Sequence, residues 1–383
     1  MYSMNSNYSR RTLLKIIIGG VFSIAALLFS RNRNSRKLKK MAKDNHSILS
    51  ITELPETGPW PTEDPFLFCV HHNDNYPAAK DDLSPNASLS GRHLGSDFSN
   101  KDGWSMYHGQ KVPGFPRHPH RGFETLTVVS KGFIDHADSL GASARYGDGD
   151  AQWLTAGDGI NHSEMFPLFD QKNQNKIDFF QIWINLPSYN KRSQPNFEIF
   201  WNDDIPKISV MDDKVIEAVI ELICGKYNDT IAPQPPPNSW AQDEKNQMGV
   251  WIIRLKEDGE FKLPRSMAGV NRSIYIPENN KVNLNRRNSF SNCMIELNPE
   301  KDCILSNESK NAKILLLQGK PINEPVYQYG PFVMNTRAEI KEAFDDYNNT
   351  GFGGWSWKNS DPIHGKYQGK FAKLINGKTS KPS

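Results

Sequence analysis

From about residue 64 onward, apolar residues come in short runs broken every few positions by Gly, Pro, Asn or Asp, the rhythm of strands and tight turns rather than of helices. Thr125–Val129, Gly132–Asp135, Gln152–Thr155 and Phe179–Leu186 are the clearest strands of a first region, and Ser130-Lys131-Gly132 joins the first two in a hairpin-like turn. A second β-rich region runs from about Ile205 to Pro325 and holds Val215–Cys224, Gly249–Leu255, Ser273–Ile276, Ser291–Leu297 and Lys313–Leu317. Within it, Ala232-Pro233-Gln234-Pro235-Pro236-Pro237 lacks ladder donors and is expected as an exposed connection. The polar stretch between Tyr76 and Gly114 has little period and reads as a long loop or rim. One helix is predicted over Thr336–Tyr347, with Thr336 as N-cap and Ile340, Ala343, Phe344 and Tyr347 on one face. The expected fold is all-β: two β-barrels in tandem, then a C-terminal helix.

Before the first strand the pattern is different. Leu13 to Phe29 is a nearly unbroken apolar stretch of roughly 17 residues, near the lower limit for spanning a bilayer. Arg10-Arg11 precede it and a basic run from Arg31 to Lys40 follows. The sequence predicts an N-terminal apolar helix that anchors the chain to a membrane, with residues 13–40 in membrane contact and the body cytoplasmic. The alternatives are a cleaved targeting peptide, since Ser-Arg-Arg-Thr-Leu-Leu-Lys resembles a twin-arginine signal, and a start at Met41. The basic run touches anionic head groups or is a solvated flank.

The whole chain of 383 residues carries a net charge of only +3, much of it in that N-terminal run, so bulk charge gives no reason to expect nucleic-acid binding. The four cysteines are scattered without a CxxC; Cys293 and Cys303 could pair, but free thiols are the better reading.

Candidate chemistry concentrates in two dyads, His118-Pro119-His120 and His162-Ser163-Glu164. Spacing of i, i+2 on a strand puts both side chains on one face. Two such strands, expected to face each other across a barrel, would aim three imidazoles and a carboxylate at one point. Mixed N/O donors with open positions suit Fe(II), and also Mn, Co, Ni or Cu; closed tetrahedral Zn is less natural without a nearby cysteine. Glu164 is a candidate both as ligand and as a base for a coordinated hydroxyl. A lone HxH is more often an ordinary surface or core pair, and it is the second dyad that turns the balance. Glu124 is a candidate partner for an imidazole N–H, or else a rim or packing residue. His71, His72 and His108 have no matching carboxylate dyad and read as surface or rim residues. Trp153, Trp183 and Trp201 read as core, and Asp138-Ser139-Leu140-Gly141 as a turn.

On these residues the chain resembles the pirin family of bicupins over roughly 60–360. The resemblance is carried by Asp64-Pro65-Phe66-Leu67, the His118–Thr125 segment, Asp138-Ser139-Leu140-Gly141, the Asp150–Glu164 segment and Tyr329–Thr336. It implies two cupin (jelly-roll) barrels, a metal-binding one at 46–204 and a C-terminal one at 205–345. These would be flanked by the anchor or targeting segment 1–45 and a tail 346–383. It further implies Fe(II) on His118, His120, His162 and Glu164, and no metal in the second barrel. Some pirins resemble flavonol 2,4-dioxygenases, which open quercetin with O2 and release carbon monoxide. Others act in the nucleus as iron-dependent, redox-sensitive partners of transcription factors, which would place such a chain in cytoplasm or nucleus. The expected partners are therefore a small polyphenol and O2, or alternatively a protein. Arg117 stands where the family commonly has an acidic residue or proline, and is a candidate to hold an acidic substrate. Phe123 and Met165 are candidate apolar lining. Val70-His71-His72-Asn73 replaces an acidic-aromatic continuation, the Tyr76–Gly114 stretch is longer than usual, and the N-terminal apolar segment is foreign to the pattern.

Overall fold

In the computed structural model, residues 46–307 and 310–383 are described. The apolar segment expected as an anchor, residues 13–29, lies outside them. Among the described residues no helix is long and apolar enough to cross a membrane.

The strands predicted from apolar runs form two double-sheet barrels, and every paired strand of their sheets is antiparallel. In the first barrel one sheet has the order Asn196–Phe200, Ala151–Thr155, Phe123–Lys131, Asn175–Asn185, Phe66–Tyr76. Its opposing sheet runs Thr379–Ser380, Phe371–Lys373, Ser143–Gly147, Phe133–Asp138, Ile160–Met165, Gly114–His120. The second barrel packs a seven-stranded sheet, centred on Asn271–Ile276, Asn311–Gly319 and Gly249–Lys256, on a four-stranded one.

Both ends of the described chain add a strand to the barrel that does not precede or follow them directly in sequence. The strand Ile48–Glu53 pairs with Cys293–Leu297 at the edge of the second barrel's sheet. At the other end Phe371–Lys373 adds to Ser143–Gly147 of the first barrel. Side chains alternate along the strands apart from a few bulges, so each sheet has an inner face filling its own barrel and an outer face. The outer faces of the five- and seven-stranded sheets meet in one apolar layer that includes Leu126, Val128, Trp153 and Ile182 from one side and Ile252, Tyr275, Leu315 and Leu317 from the other.

The C-terminal helix is Arg337–Thr350. Thr336 caps it: its hydroxyl accepts from the Glu339 N–H, while the Glu339 carboxylate accepts from the Asn335 N–H. Ile340 and Ala343 are buried against Phe332, Met334 and Phe352, with Phe344 and Tyr347 packed beside them. The Ala232–Pro237 stretch is a connection, as expected, but it is half-buried rather than exposed, because it leads Ser239 into the contact between barrels. All four cysteines are buried free thiols.

Candidate metal centre

His118 and His120 end the strand Gly114–His120, and His162 lies on Ile160–Met165. The two strands do not face each other across the barrel, as expected from the dyads. They are hydrogen-bonded neighbours, with His118 directly opposite His162. A bulge at Pro116-Arg117 keeps the ligand face continuous: Phe115 pairs with Glu164, and His118, three residues later, pairs with His162 on the same side. One sheet therefore presents Phe115, His118, His120, His162 and Glu164 to the barrel interior.

The ligating nitrogens of His118, His120 and His162 lie within 4.8 Å of one another, the one such trio among the described residues. Burial pushes the His118 imidazole down to about 4 and those of His120 and His162 well below the usual histidine range, so all three are neutral lone-pair donors near pH 7. His118 Nδ1 donates to the Pro116 carbonyl (2.9 Å) and His120 Nδ1 faces the Pro331 carbonyl (3.4 Å), which leaves each Nε2 as the free donor atom. Neither nitrogen of fully buried His162 has a hydrogen-bond partner. Orphaned polar atoms are costly in a dry interior, and a cation held by three converging lone pairs removes that cost. The donor set thus fits a first-row divalent ion.

Glu164 stands beside the trio, its Oε2 3.8 Å from His162 Nε2. That oxygen accepts from the Gln181 amide (2.9 Å), and Thr127 stands 3.5 Å from the other. Burial raises its carboxyl above the usual range, against the opposing pull of His136, Gln181 and Thr127. Aromatic groups wall the other side: Phe123 stacks on Trp183 (4.0 Å between centroids), and both meet the edge of His120 at 5.0 and 5.2 Å. Phe123 therefore lines the site, and Trp183 is a core residue, as expected, of the small buried cluster with Phe123 and Val333 that packs against His120.

Three weaker candidates are not brought to the site. Arg117 lies on the bulge, is exposed, and reaches the Trp355 ring on the outer side of the sheet. Met165 follows Glu164 by one residue and so takes the opposite face, where Asp135 pairs with it. Glu124, one beyond Phe123, points into the contact between barrels, where it accepts from Thr155 Oγ1 (2.7 Å) and Ser239 Oγ (2.6 Å). Among the other histidines, His108 is a half-buried rim residue, but His71 and His72 are not surface. His72 sits in an aromatic cluster with Phe179 and Tyr107, its pKa pushed down to about 3 by burial. His71 pairs with Asp178 (3.0 Å), which Lys313 of the second barrel also holds.

The structure adds residues not singled out in the sequence. His136 lies opposite Glu164 and its ring meets that of His162 at 5.6 Å; its Nε2 is 3.2 Å from the Asp138 carboxylate. His136 and Asp138 form a third i, i+2 dyad, on the next strand, and that spacing is the signal that could have revealed both. Asp138 also holds its turn, accepting from the Leu140 and Ala142 N–H groups. Lys191, almost wholly buried, donates to the carbonyls of Gly122 and Val333 and to Asn185, bracing the turn after His120. No sequence spacing announces that role.

Two antiparallel jelly-roll barrels in tandem, with the imidazole trio on the first, make this a bicupin. Two family models match it in order: Pirin over residues 62–184 and the Pirin C-terminal cupin domain over 250–353. A pirin-like protein of Caulobacter vibrioides is 33% identical over 270 residues, covering 70% of this chain and 90% of that protein. A Pseudomonas aeruginosa protein named "Putative quercetin 2,3-dioxygenase PA2418" is 31% identical over 244 residues, 63% of this chain and 80% of the relative. The crystal structure of a quercetin 2,3-dioxygenase from Acinetobacter baumannii superposes with a TM-score of 0.62 at 26% identity, covering 80% of this chain and 98% of that one. The chain belongs to the pirin family.

Proposed function

We propose that the protein is a metal-dependent dioxygenase of quercetin-like flavonols or related polyphenols, with Fe(II) as the working ion. The observation that carries this reading is the trio of buried, neutral imidazoles converging within 4.8 Å, with a carboxylate 3.8 Å from one of them. The names of the relatives just described support the substrate class.

His118, His120 and His162 would hold the ion, with Glu164 as fourth ligand or as the adjoining base. When bound, the ion supplies Lewis acidity toward a chelating oxygen and redox capacity toward O2. The chain's own residues do the rest. Glu164 takes the proton of the substrate hydroxyl at its Oε2, and Gln181 keeps that oxygen aimed at the site. Phe123 and Trp183 exclude water from the His120 side and give an aromatic substrate a flat partner.

Anaerobic loading with Fe(II), followed by quercetin and O2, tests the reading. Quercetin loss coupled to carbon monoxide release, abolished in His120→Ala, is expected. No loss above a free-iron control, or equal loss in His120→Ala, would sink it.

A further inference from the structure

The long segment between Tyr76 and Gly114 is built as a platform. Arg92 is buried at its centre, lies 3.4 Å over the Trp104 ring, and donates to Asp97 (3.0 Å) and to the carbonyls of Trp104 and Lys101. Asp97 accepts in turn from the Met106 N–H (2.9 Å) and the Ser99 hydroxyl (2.6 Å). Asp74, on the neighbouring strand, accepts from the Tyr107 hydroxyl (2.7 Å) and the Ser105 N–H (2.9 Å). Tyr107 is held at φ +55°, a left-handed conformation that a bulky side chain takes only when its surroundings enforce it. Buried charges hydrogen-bonded at this many points, Arg92 through both of its terminal nitrogens, fix one geometry for whatever the segment displays.

It displays rings. Phe98 is 41% exposed, and its ring lies 5.1 Å from that of half-buried His108. His108 lies 5.7 Å from half-buried Phe115, and Phe115 lies 6.3 Å from His118, the ligand of the trio that is not fully buried. Phe115 is also the cross-strand partner of Glu164. A file of partly exposed rings thus leads from solvent to the candidate metal ligands, and all but its innermost member come from the platform or the second residue of the strand after it.

We infer that Phe98, His108 and Phe115 form the substrate-selecting wall of the site: a planar aromatic ligand enters along them and stacks there before its oxygens reach the ligand face. The inference rests on the reading of the site as a polyphenol site, but it assigns selection to the segment 77–113, through Phe98 and His108, together with Phe115 near the start of a ligand strand. Ring-on-ring contact favours flat, electron-rich substrates over aliphatic diols that chelate equally well.

Equilibrium binding of quercetin to the anaerobic full-length chain, metal-free and Fe(II)-loaded, tests it through quenching of tryptophan fluorescence. Phe98→Ala and Phe98→Leu should each weaken binding by about 3–10-fold, and His108→Ala similarly, while Phe98→Tyr restores it. The loss should reach KM as well as Kd, with metal content and thermal stability unchanged. Equal affinity in Phe98→Ala, or full affinity in Phe98→Leu, overturns the wall, as does failure of the parent protein to bind quercetin. Binding that obeys this pattern without turnover would leave the wall standing and remove the dioxygenase. Turnover with an unchanged KM in Phe98→Ala does the reverse.

Discussion

His120 faces a carbonyl 211 residues further along the chain, that of Pro331, and one glycine makes the approach possible. Gly122 has φ +85°, and a Cβ placed on it would come 1.9 Å from the Val333 carbonyl oxygen. The backbone of the hairpin Tyr327–Tyr329 and Phe332–Met334 closes on that spot through a Val333 N–H to Arg121 carbonyl bond (3.0 Å). Gly122→Ala combines left-handed strain with a clash against backbone, and should cost about 3 kcal/mol by chemical denaturation. It should also lower metal affinity, because the hairpin that retreats carries Pro331 away from His120. Full stability together with unchanged metal content would refute this link. At this scale the two dyads were legible because alternation alone puts i and i+2 together. The same parity places Met165, one residue beyond Glu164, and Arg117, one before His118, off the ligand face, although both are candidates on the sequence. Glu124 was harder to place: the Gly122 turn separates it from the HxH strand, so its face depends on a reversal that spacing does not encode.

Among the elements, the strands announced themselves because each is a short apolar run ended by turn formers, and the helix because Thr336 and its apolar stripe mark it. What stayed hidden was the segment after the helix, polar and without period, since its partners lie on another sheet. Phe352 packs under Phe332, the Ser139 hydroxyl donates to the Phe352 carbonyl (2.8 Å), and Trp357 Nε1 donates to the Asp138 carbonyl (2.7 Å). Further on, Arg145 clasps the chain. Its buried guanidinium makes two 2.7 Å bonds to Asp135 and donates to the carbonyls of His364, Gly365 and Gln368. His364 completes the clasp, its N–H donating to Asp135 and its Nε2 lying 3.0 Å from the His136 carbonyl. This strap crosses the back of the strands that carry His136 and His162. Arg145→Leu leaves Asp135 as an unpaired buried charge, so a loss of about 3–5 kcal/mol is expected. Limited proteolysis should then cut the chain after the helix in the variant and spare the parent. A variant as resistant as the parent would show that the strap is held by its other contacts alone.

For the whole molecule, the contact between barrels is the largest feature that sequence could not supply. Apolar residues fall on both faces of Phe123–Lys131 and Gly249–Lys256, but the sequence does not say what covers the outer one. The covering is the other barrel, and within that apolar layer Glu124 is a buried carboxyl bridging the two. Thr155 donates to it from its own barrel and Ser239 from the connection into the second. Burial lifts its pKa to about 7 from an ordinary value of 4.5, against the lowering effect of hydrogen bonds from Ser239, Thr155 and Trp153. The folded chain therefore keeps this proton up to about pH 7, whereas the unfolded chain releases it near 4.5. Between those values the folded state binds more protons, so this group's contribution to stability falls as pH rises across the window and is flat outside it. The full swing is on the order of 3 kcal/mol. Glu124→Gln keeps both hydrogen-bond partners and cannot ionise. Urea denaturation of parent and variant at about pH 5 and about pH 8 isolates the carboxyl, because the buried histidines change both proteins alike. The parent should lose stability relative to Glu124→Gln on going to the higher pH. A difference between the two proteins that does not move with pH would mean that Glu124 ionises as an ordinary carboxyl, and that the barrels are joined without a proton-sensitive contact.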